Sequence, residues 1–457
     1  MRTHLAALLI ASTLVIANGC STLTSPTPLT IASSTVSTST FSYDLATSAQ
    51  RESAFDRAWH VVNDRFYDPE FNGVNWDAVR LRYRPQLELV DSDDAFYALL
   101  SRMASELSDS HTRVYSARQY RNRLDSVIST YGLRVADVDG KVAIVQVFPE
   151  TDAARAGLRK GMVIDTIDGE KAIERLAKLR AEAPTDATPE RRLRTVIGRL
   201  LSGRAGTLAI EVENGSGCGK TRVELKRNDR EIPLVVSSET LPGNIGYIAF
   251  NRFRPEAAAD FGRALGGLRQ TDGLIIDLRG NPGGSLGSML AIARHFFPET
   301  RHVMTRKLRS SDRSGPESDG FATARMPPPE MKILAASDAY TQPIAILLDT
   351  YSASSSELLA TILREQRGAT IVGRPTCGCV VAVRPNGYRL PGGGAIFVSE
   401  SGFLSPFGSR MEGVPMTPDR AVAVTLADLD AGVDRDVVVA KEWLRQRPTK
   451  DAEAPLH

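Results

Sequence analysis

The spacing of apolar positions changes character several times along this chain. Leu5 to Ala17 is an apolar run relieved only by Ser12 and Thr13. It is too short to cross a hydrocarbon core of ~30 Å as a helix. With Arg2 ahead of it and the small residues Ala17-Asn18-Gly19 behind it, the run reads as an export signal over 1–19. Ser, Thr and Pro then dominate, which predicts a flexible tether over 20–49. The period becomes helical next. Phe55, Trp59, Val62 and Phe66 share one face, and a second helix begins near Asn75-Trp76 with Val79 and Tyr83. A third follows Asp91-Ser92 with Phe96, Leu99, Leu100, Met103 and Leu107. It ends at Ser108-Asp109-Ser110-His111, before the strand-like Thr112 to Tyr115. These elements predict a helical segment over 50–118.

Residues 122–230 alternate with a shorter period. A strand opens at Tyr131-Gly132-Leu133, and a second runs from Val142 to Phe148 after a turn at Asp139-Gly140. A short helix passes through Ala153-Ala154, and Gly161 to Gly169 closes the run. The order resembles a PDZ domain, with the stretch 174–201 longer than usual. That resemblance implies that the backbone at Tyr131, Gly132 and Leu133 receives a peptide C-terminus, the peptide adding a strand to the sheet edge. The alternative is a β module that only packs on its neighbours. From 233 to 457 the pattern is α/β. Buried strands are predicted at Ile245–Phe250, Gly273–Leu278 and Ile344–Leu348. Helices are predicted around Phe261, Leu265 and Leu268, through Met289-Leu290-Ala291, and at 354–366 and 435–446. Residues 306–330, rich in Ser, Arg, Gly and Pro, are predicted to be a long surface loop, and Gly392-Gly393-Gly394 a turn.

Composition narrows the classes. At 457 residues the chain suggests about three domains. Hydrophobic residues make up 42% and charged residues 24%, which excludes a disordered or multi-span membrane chain. Net charge is +2, so no nucleic-acid partner is indicated. Four Cys are too few for a disulfide scaffold of this size. Ala17-Asn18-Gly19-Cys20 resembles a bacterial lipoprotein signal, which implies a lipid anchor on Cys20 and a place on the periplasmic side of a bacterial envelope, as an outer-membrane lipoprotein. An ordinary secretory signal cut nearby is the alternative.

Two segments of the α/β region have the form strand, tight turn, helix. The first ends in Arg279-Gly280-Asn281-Pro282-Gly283-Gly284, whose glycines can bring bare amides close to a substrate. The second runs from Ile344-Asp349 through Tyr351-Ser352-Ala353-Ser354-Ser355-Ser356-Glu357. A Ser at a helix start is usually only an N-cap, but it also sits where developing negative charge is favoured. Together the two motifs resemble the core of the S41 serine peptidases, the family of C-terminal processing proteases and the tricorn core protease. That resemblance implies Ser354 as nucleophile and an oxyanion hole built from the amide of Ser355 with that of Gly283 or Gly284. It implies a multidomain α/β fold: the helical segment, the PDZ-like domain and a ClpP/crotonase-like catalytic core.

The tail-specific branch places a Lys 25 residues after the Ser; here that position is Cys379, within Thr376-Cys377-Gly378-Cys379. Glu365, 11 residues after the Ser, reads as a helix-face residue. The tricorn-like branch instead uses a Ser-His pair before the PDZ module and a late Glu. Ser110-His111 and the segment Met411-Glu412-Gly413 match it. The resemblance therefore implies His111 as general base, Ser110 as its orienting partner and Glu412 as the acidic end, acting through Ser110 or directly on the His environment. His60, His295 and His302 are read as solvated or structural. No metal site or cofactor is expected, since Cys377-x-Cys379 lacks a second ligand pair; among Cys218, Cys377 and Cys379 a disulfide is plausible outside the cytoplasm, leaving one thiol odd. The reading is an exported serine endopeptidase acting on peptides or proteins. The alternative is an inactive S41-fold binding or scaffold protein of the envelope. Oligomeric state is not readable.

Overall fold

The computed structural model describes residues 47–125, 127–183, 188–202, 206–213, 219–231, 233–309 and 330–446. The expected signal, Cys20, nearly all of the tether, Cys218 and residues 310–329 lie outside them. Helix α1 (Ser48–Arg65) starts within the predicted tether, because Thr47 and Gln50 form a reciprocal cap. Asn75 caps α2 (Trp76–Tyr83) and Ser92 caps α3 (Asp93–Ser105), and both helices start where the sequence predicts them. Strand β1 (Arg113–Tyr115) and helix α4 (Ala117–Leu124) follow; α4 was not legible from periodicity. Among the described residues no helix is long and apolar enough to cross a membrane.

The next region holds β2 (Val127–Thr130), β3 (Leu133–Val138), β4 (Lys141–Val147), α5 (Asp152–Arg155), β5 (Val163–Ile167) and β6 (Glu170–Lys171). The long stretch after it is two helices, α6 (Ala172–Ala181) and α7 (Pro189–Leu200), packed on each other. Strands β7 (Thr207–Glu213), β8 (Lys220–Lys226) and β9 (Asn228–Glu231) complete the region. The sheet runs β3-β4-β5-β7-β8, with β6 paired to β5. It has its own apolar core, from Leu133 and Ile144 to Leu176, Ile197 and Leu225. In this order β3 is an edge strand, with one side unpaired among the described residues.

The third region opens with β10 (Val236–Leu241), β11 (Ile245–Phe250), α8 (Pro255–Gly267), β12 (Gly273–Asp277) and α9 (Leu286–Arg294). Strands β13 (Arg301–Leu308) and β14 (Glu330–Ile333) pair antiparallel, so the ends of the predicted 306–330 loop are strand. Then come β15 (Ile344–Leu348), α10 (Ser355–Arg367), β16 (Thr370–Gly373), β17 (Val381–Val383), β18 (Tyr388–Arg389), β19 (Ala395–Phe397), β20 (Ser399–Leu404) and β21 (Arg420–Ala421). Helices α11 (Leu426–Asp430) and α12 (Arg435–Arg445) end the described chain. The main sheet has the order β10-β11-β12-β15-β16-β21 and is parallel from β11 onward. Alternate residues serve two cores. Ile248, Ile276, Ile346 and Ile371 face α8, α9 and α10, while Ile275, Leu347 and Val372 pack on Trp443 and Leu444 of α12. Burial on both faces is why these strands read as unbroken apolar runs.

The helical segment does not close its own core. Phe55, Phe96, Leu100 and Met103 pack in one cluster with Val381, Tyr388, Leu390, Ile396 and Val398, more than 270 residues later. Strand β1 pairs with β19 as part of the same union. Ile396 is fully buried there. Ile396→Ala is therefore expected to cost about 2–5 kcal/mol and to speed amide exchange in α1–α3 as well as near 396. Unchanged exchange in α1–α3 would mean that those helices fold alone.

Candidate functional site

Two neighbouring parallel strands deliver the site. Strands β12 and β15 lie side by side, and their carboxyl ends lead into the turns at 279–284 and 349–354. That is where open parallel sheets place ligands. The turns are stitched together by backbone and short side chains. Asn281 O accepts from Ala353 N–H at 3.1 Å and from Ser356 Oγ at 2.9 Å; Ser355 Oγ donates to Gly284 O at 2.9 Å. Gly280 N–H donates to Asp349 Oδ1 at 2.9 Å. Ser354 sits at the entrance of α10 with φ 57° and ψ −117°. A non-glycine residue in that region is strained, and such strain concentrates at functional sites.

Gly283, at φ 92°, lies so close that an added Cβ would stand 2.8 Å from Ser354 Cβ and 2.9 Å from Ser355 N. Gly284, at φ 144°, abuts Phe253 O. Their amides differ. Gly283 N–H donates to Asn281 Oδ1 at 2.9 Å. Gly284 N–H and Ser355 N–H have no acceptor among the described residues. Of the alternatives left open by the sequence, Gly284 is the one with an open amide.

Buried Glu357 anchors the nucleophile candidate from below. Its carboxylate accepts from Ser354 N–H at 3.0 Å, Gly378 N–H at 2.9 Å, Cys379 N–H at 2.9 Å and the Thr376 hydroxyl. Burial pushes its pKa up, and those four donors oppose the shift. Cys377 and Cys379 form a disulfide, with Cα atoms 5.3 Å apart, packed on Ala353. Cys379 O accepts from Ser354 N–H at 2.9 Å. The position that would carry Lys in the tail-specific branch thus lies against Ser354, but as half of a disulfide.

The second carboxylate is Glu412. It accepts from Ser110 N–H at 2.9 Å, Ser110 Oγ–H at 3.0 Å and Val380 N–H at 2.6 Å. Ser110 Oγ lies 2.6 Å from His111 Nδ1. Ser110 has one hydroxyl proton. With that proton on Glu412, the His111 Nδ1–H must be the donor to Ser110, which leaves Nε2 as the bare nitrogen. Glu412 therefore meets the His environment through Ser110. Burial, with Asp109 adding to it, lifts the Glu412 pKa to about 7 against the Val380 N–H. Burial also lowers the His111 pKa to about 3, assisted by Arg113, Arg123, Arg194 and Arg191. The imidazole is neutral at neutral pH. Ser354 Oγ makes no hydrogen bond to His111 in this structure. Asp109 fixes the approach to the pair by accepting from Thr112 N–H at 3.1 Å and Thr112 Oγ1 at 2.8 Å.

Tyr131 and Leu133 are buried in the core of their sheet. Gly132 N–H donates to Thr130 Oγ1 at 3.1 Å and its carbonyl accepts from Phe148 N–H at 2.8 Å, so that turn offers no open amide at Gly132. The open feature is the β3 edge itself. Among the described residues no group of three or more His, Cys, Asp or Glu side chains could hold a metal.

Residues 244–422 match the peptidase family S41, and residues 47–105 match the tricorn protease C1 domain. Over residues 244–422 the chain is similar to the S41 peptidases. It is 29% identical over 300 residues to the carboxy-terminal processing protease CtpB of Bacillus subtilis, covering 64% of this chain and 56% of that protein. It is 26% identical to a putative tricorn protease homolog of Streptomyces coelicolor, covering 89% of this chain and 33% of that protein. The fold is also that of mature CPAF, with a TM-score of 0.61 at 13% identity, covering 87% of this chain and 96% of that one. The chain thus spans little more than half the length of CtpB and a third of the tricorn homolog.

Glu357 has a sequence signal that the reading from sequence left unused: an acid three residues after a helix-initial Ser is a capping box. Removing it would leave the amides of Gly378 and Cys379 and the Thr376 hydroxyl without an acceptor. Glu357→Ala is expected to destabilise the S41 core by on the order of 3 kcal/mol or more, with Glu357→Gln losing less because one oxygen remains. Urea titrations of the two variants measure this; equal, small losses would show that the carboxylate holds nothing in place.

Proposed function

We propose that this chain is an exported serine endopeptidase in which Ser354 is the nucleophile and His111 the general base. The observation that carries the reading is the Glu412–Ser110–His111 chain of hydrogen bonds, because it selects the tautomer with a basic Nε2. In the reaction, Ser354 Oγ attacks the peptide carbonyl as Nε2 takes its proton. The oxyanion forms against the open amides of Gly284 and Ser355. Collapse of the tetrahedral species breaks the C–N bond, and the imidazolium returns its proton to the amine. Water, deprotonated by the same Nε2, hydrolyses the acyl-enzyme. Ser354 reaches His111 only after rotation of its side chain or closure on substrate, as is common for sites without substrate. Substrates are polypeptides, and the open β3 edge supports their selection by strand addition. The leader and Cys20 support export and lipid anchoring at the envelope.

Ser354→Ala should abolish cleavage of a diverse peptide pool read by mass spectrometry while leaving the thermal melt intact. Cleavage by both proteins would remove Ser354 from the role, and cleavage by neither would favour the ligand-binding alternative.

Protonation of Glu412 gives the pH profile its sign. Below pH about 7 the carboxyl carries a proton. It can then donate to Ser110, whose proton turns to Nδ1 and forces the hydrogen of His111 onto Nε2. Above that pH the base is restored. The kcat/KM is therefore expected to rise with pH through about 7. Glu412→Gln should lower kcat by about 10²-fold or more and flatten that limb; an unchanged limb in this variant would assign it elsewhere.

A further inference from the structure

Among the described residues, five arginines around the site have no carboxylate of their own. Arg113, in β1, folds back on Ser110 O at 3.3 Å. Arg191, in α7, reaches Ser108 O at 3.4 Å and Asp109 O. One turn on, Arg194 lies 3.8 Å from Cys377 Sγ and 5.9 Å from the Tyr351 ring centroid. Arg134, on the open edge strand β3, lies over the same Tyr351 ring at 5.4 Å and over Phe148 at 5.5 Å. Arg123, in α4, covers Phe397 at 4.4 Å. They come from four elements and bracket both Ser110-His111 and the approach to Ser354.

None of the five forms an ion pair with Asp or Glu among the described residues. The carboxylates nearby are already occupied by N–H and O–H donors: Asp109 by Thr112, Asp349 by Gly280 and Tyr351, and Glu357 and Glu412 as described. Burial lowers the pKa of Arg194, and Arg113 lowers it further, as expected of a guanidinium without a counter-ion. Carbonyls, rings and a sulfur solvate these groups without neutralising them.

We propose that Arg113, Arg123, Arg134, Arg191 and Arg194 form a carboxylate-reading rim, and that the protein selects polypeptide segments carrying Asp or Glu side chains close to the scissile bond. The proposal rests on the peptidase reading of the same site. A strand added at β3 passes Arg134 first, and the forked guanidinium suits bidentate carboxylate contact. The rim also bears on the chemistry. Its positive field opposes formation of the His111 imidazolium, and a substrate carboxylate seated among the arginines relieves part of that repulsion. Acidic side chains should then raise kcat as well as lower KM.

The test uses paired peptides, acetylated and C-terminally amidated, identical except that Asp and Glu are exchanged for Asn and Gln. With the wild type, kcat/KM is expected to favour the acidic member by about tenfold or more, with a preference that shrinks as salt is raised. The acid-to-amide ratio should fall toward one in Arg194→Gln/Arg134→Gln and fall less in Arg194→Lys, which keeps the charge without the fork. Binding of fluorescein-labelled acidic and amide peptides to Ser354→Ala gives the same comparison without turnover, so an absence of cleavage would count against the peptidase reading and not against the rim. Equal affinities and equal kcat/KM for the pair would overturn the proposal. So would a preference that follows only the free α-carboxylate when the amidated peptides are compared with their acid forms.

Discussion

A single peptide group, Cys379–Val380, holds the two halves of the site at a fixed separation. Its carbonyl accepts the Ser354 amide at 2.9 Å, and its N–H donates to Glu412 at 2.6 Å. In a planar trans peptide those two groups point in opposite directions, so Ser354 and Glu412 are set on opposite sides of one rigid plate. The plate is itself pinned. Glu357 takes the amides of Gly378 and Cys379, and Gly378 O receives Gly413 N–H at 2.9 Å. Two buried carboxylates in so small a space would be costly if any oxygen lacked a donor. Here the donors are backbone amides and hydroxyls, groups that hold position without bringing a compensating positive charge. Burial therefore still lifts the Glu412 pKa to about 7, and its protonation state responds to pH.

Much of this was legible in the sequence because it is local. The strands β11, β12 and β15 are apolar runs, and the two turns that follow β12 and β15 carry recognisable glycine and serine patterns. Ser110-His111 and Glu412 were legible only through resemblance, and the structure brings them within hydrogen-bonding distance across 302 residues. The arginine rim left no trace, because its members are spread from position 113 to 194 and converge only when α7 and β3 are docked. The union of α1–α3 with β17–β19 was hidden for the same reason: a helix face shows that it needs a partner, not which partner it has. The turn at Gly132 looked receptive from sequence alone, since Thr130 two residues earlier gives no sign that its hydroxyl will take the amide.

The order of the parts along the chain has a consequence for synthesis. On the proposed assignment the base lies at position 111, the nucleophile at 354, and the carboxylate that selects the base's tautomer at 412. A nascent chain emerging from its N-terminus presents the imidazole first and, much later, the serine. The group that makes the imidazole basic on the correct side comes after both, and β17–β19, which complete the helical core, come after the serine as well. On that assignment no growing fragment that stops before 412 holds all three groups, so hydrolytic competence would arrive only with the last of them.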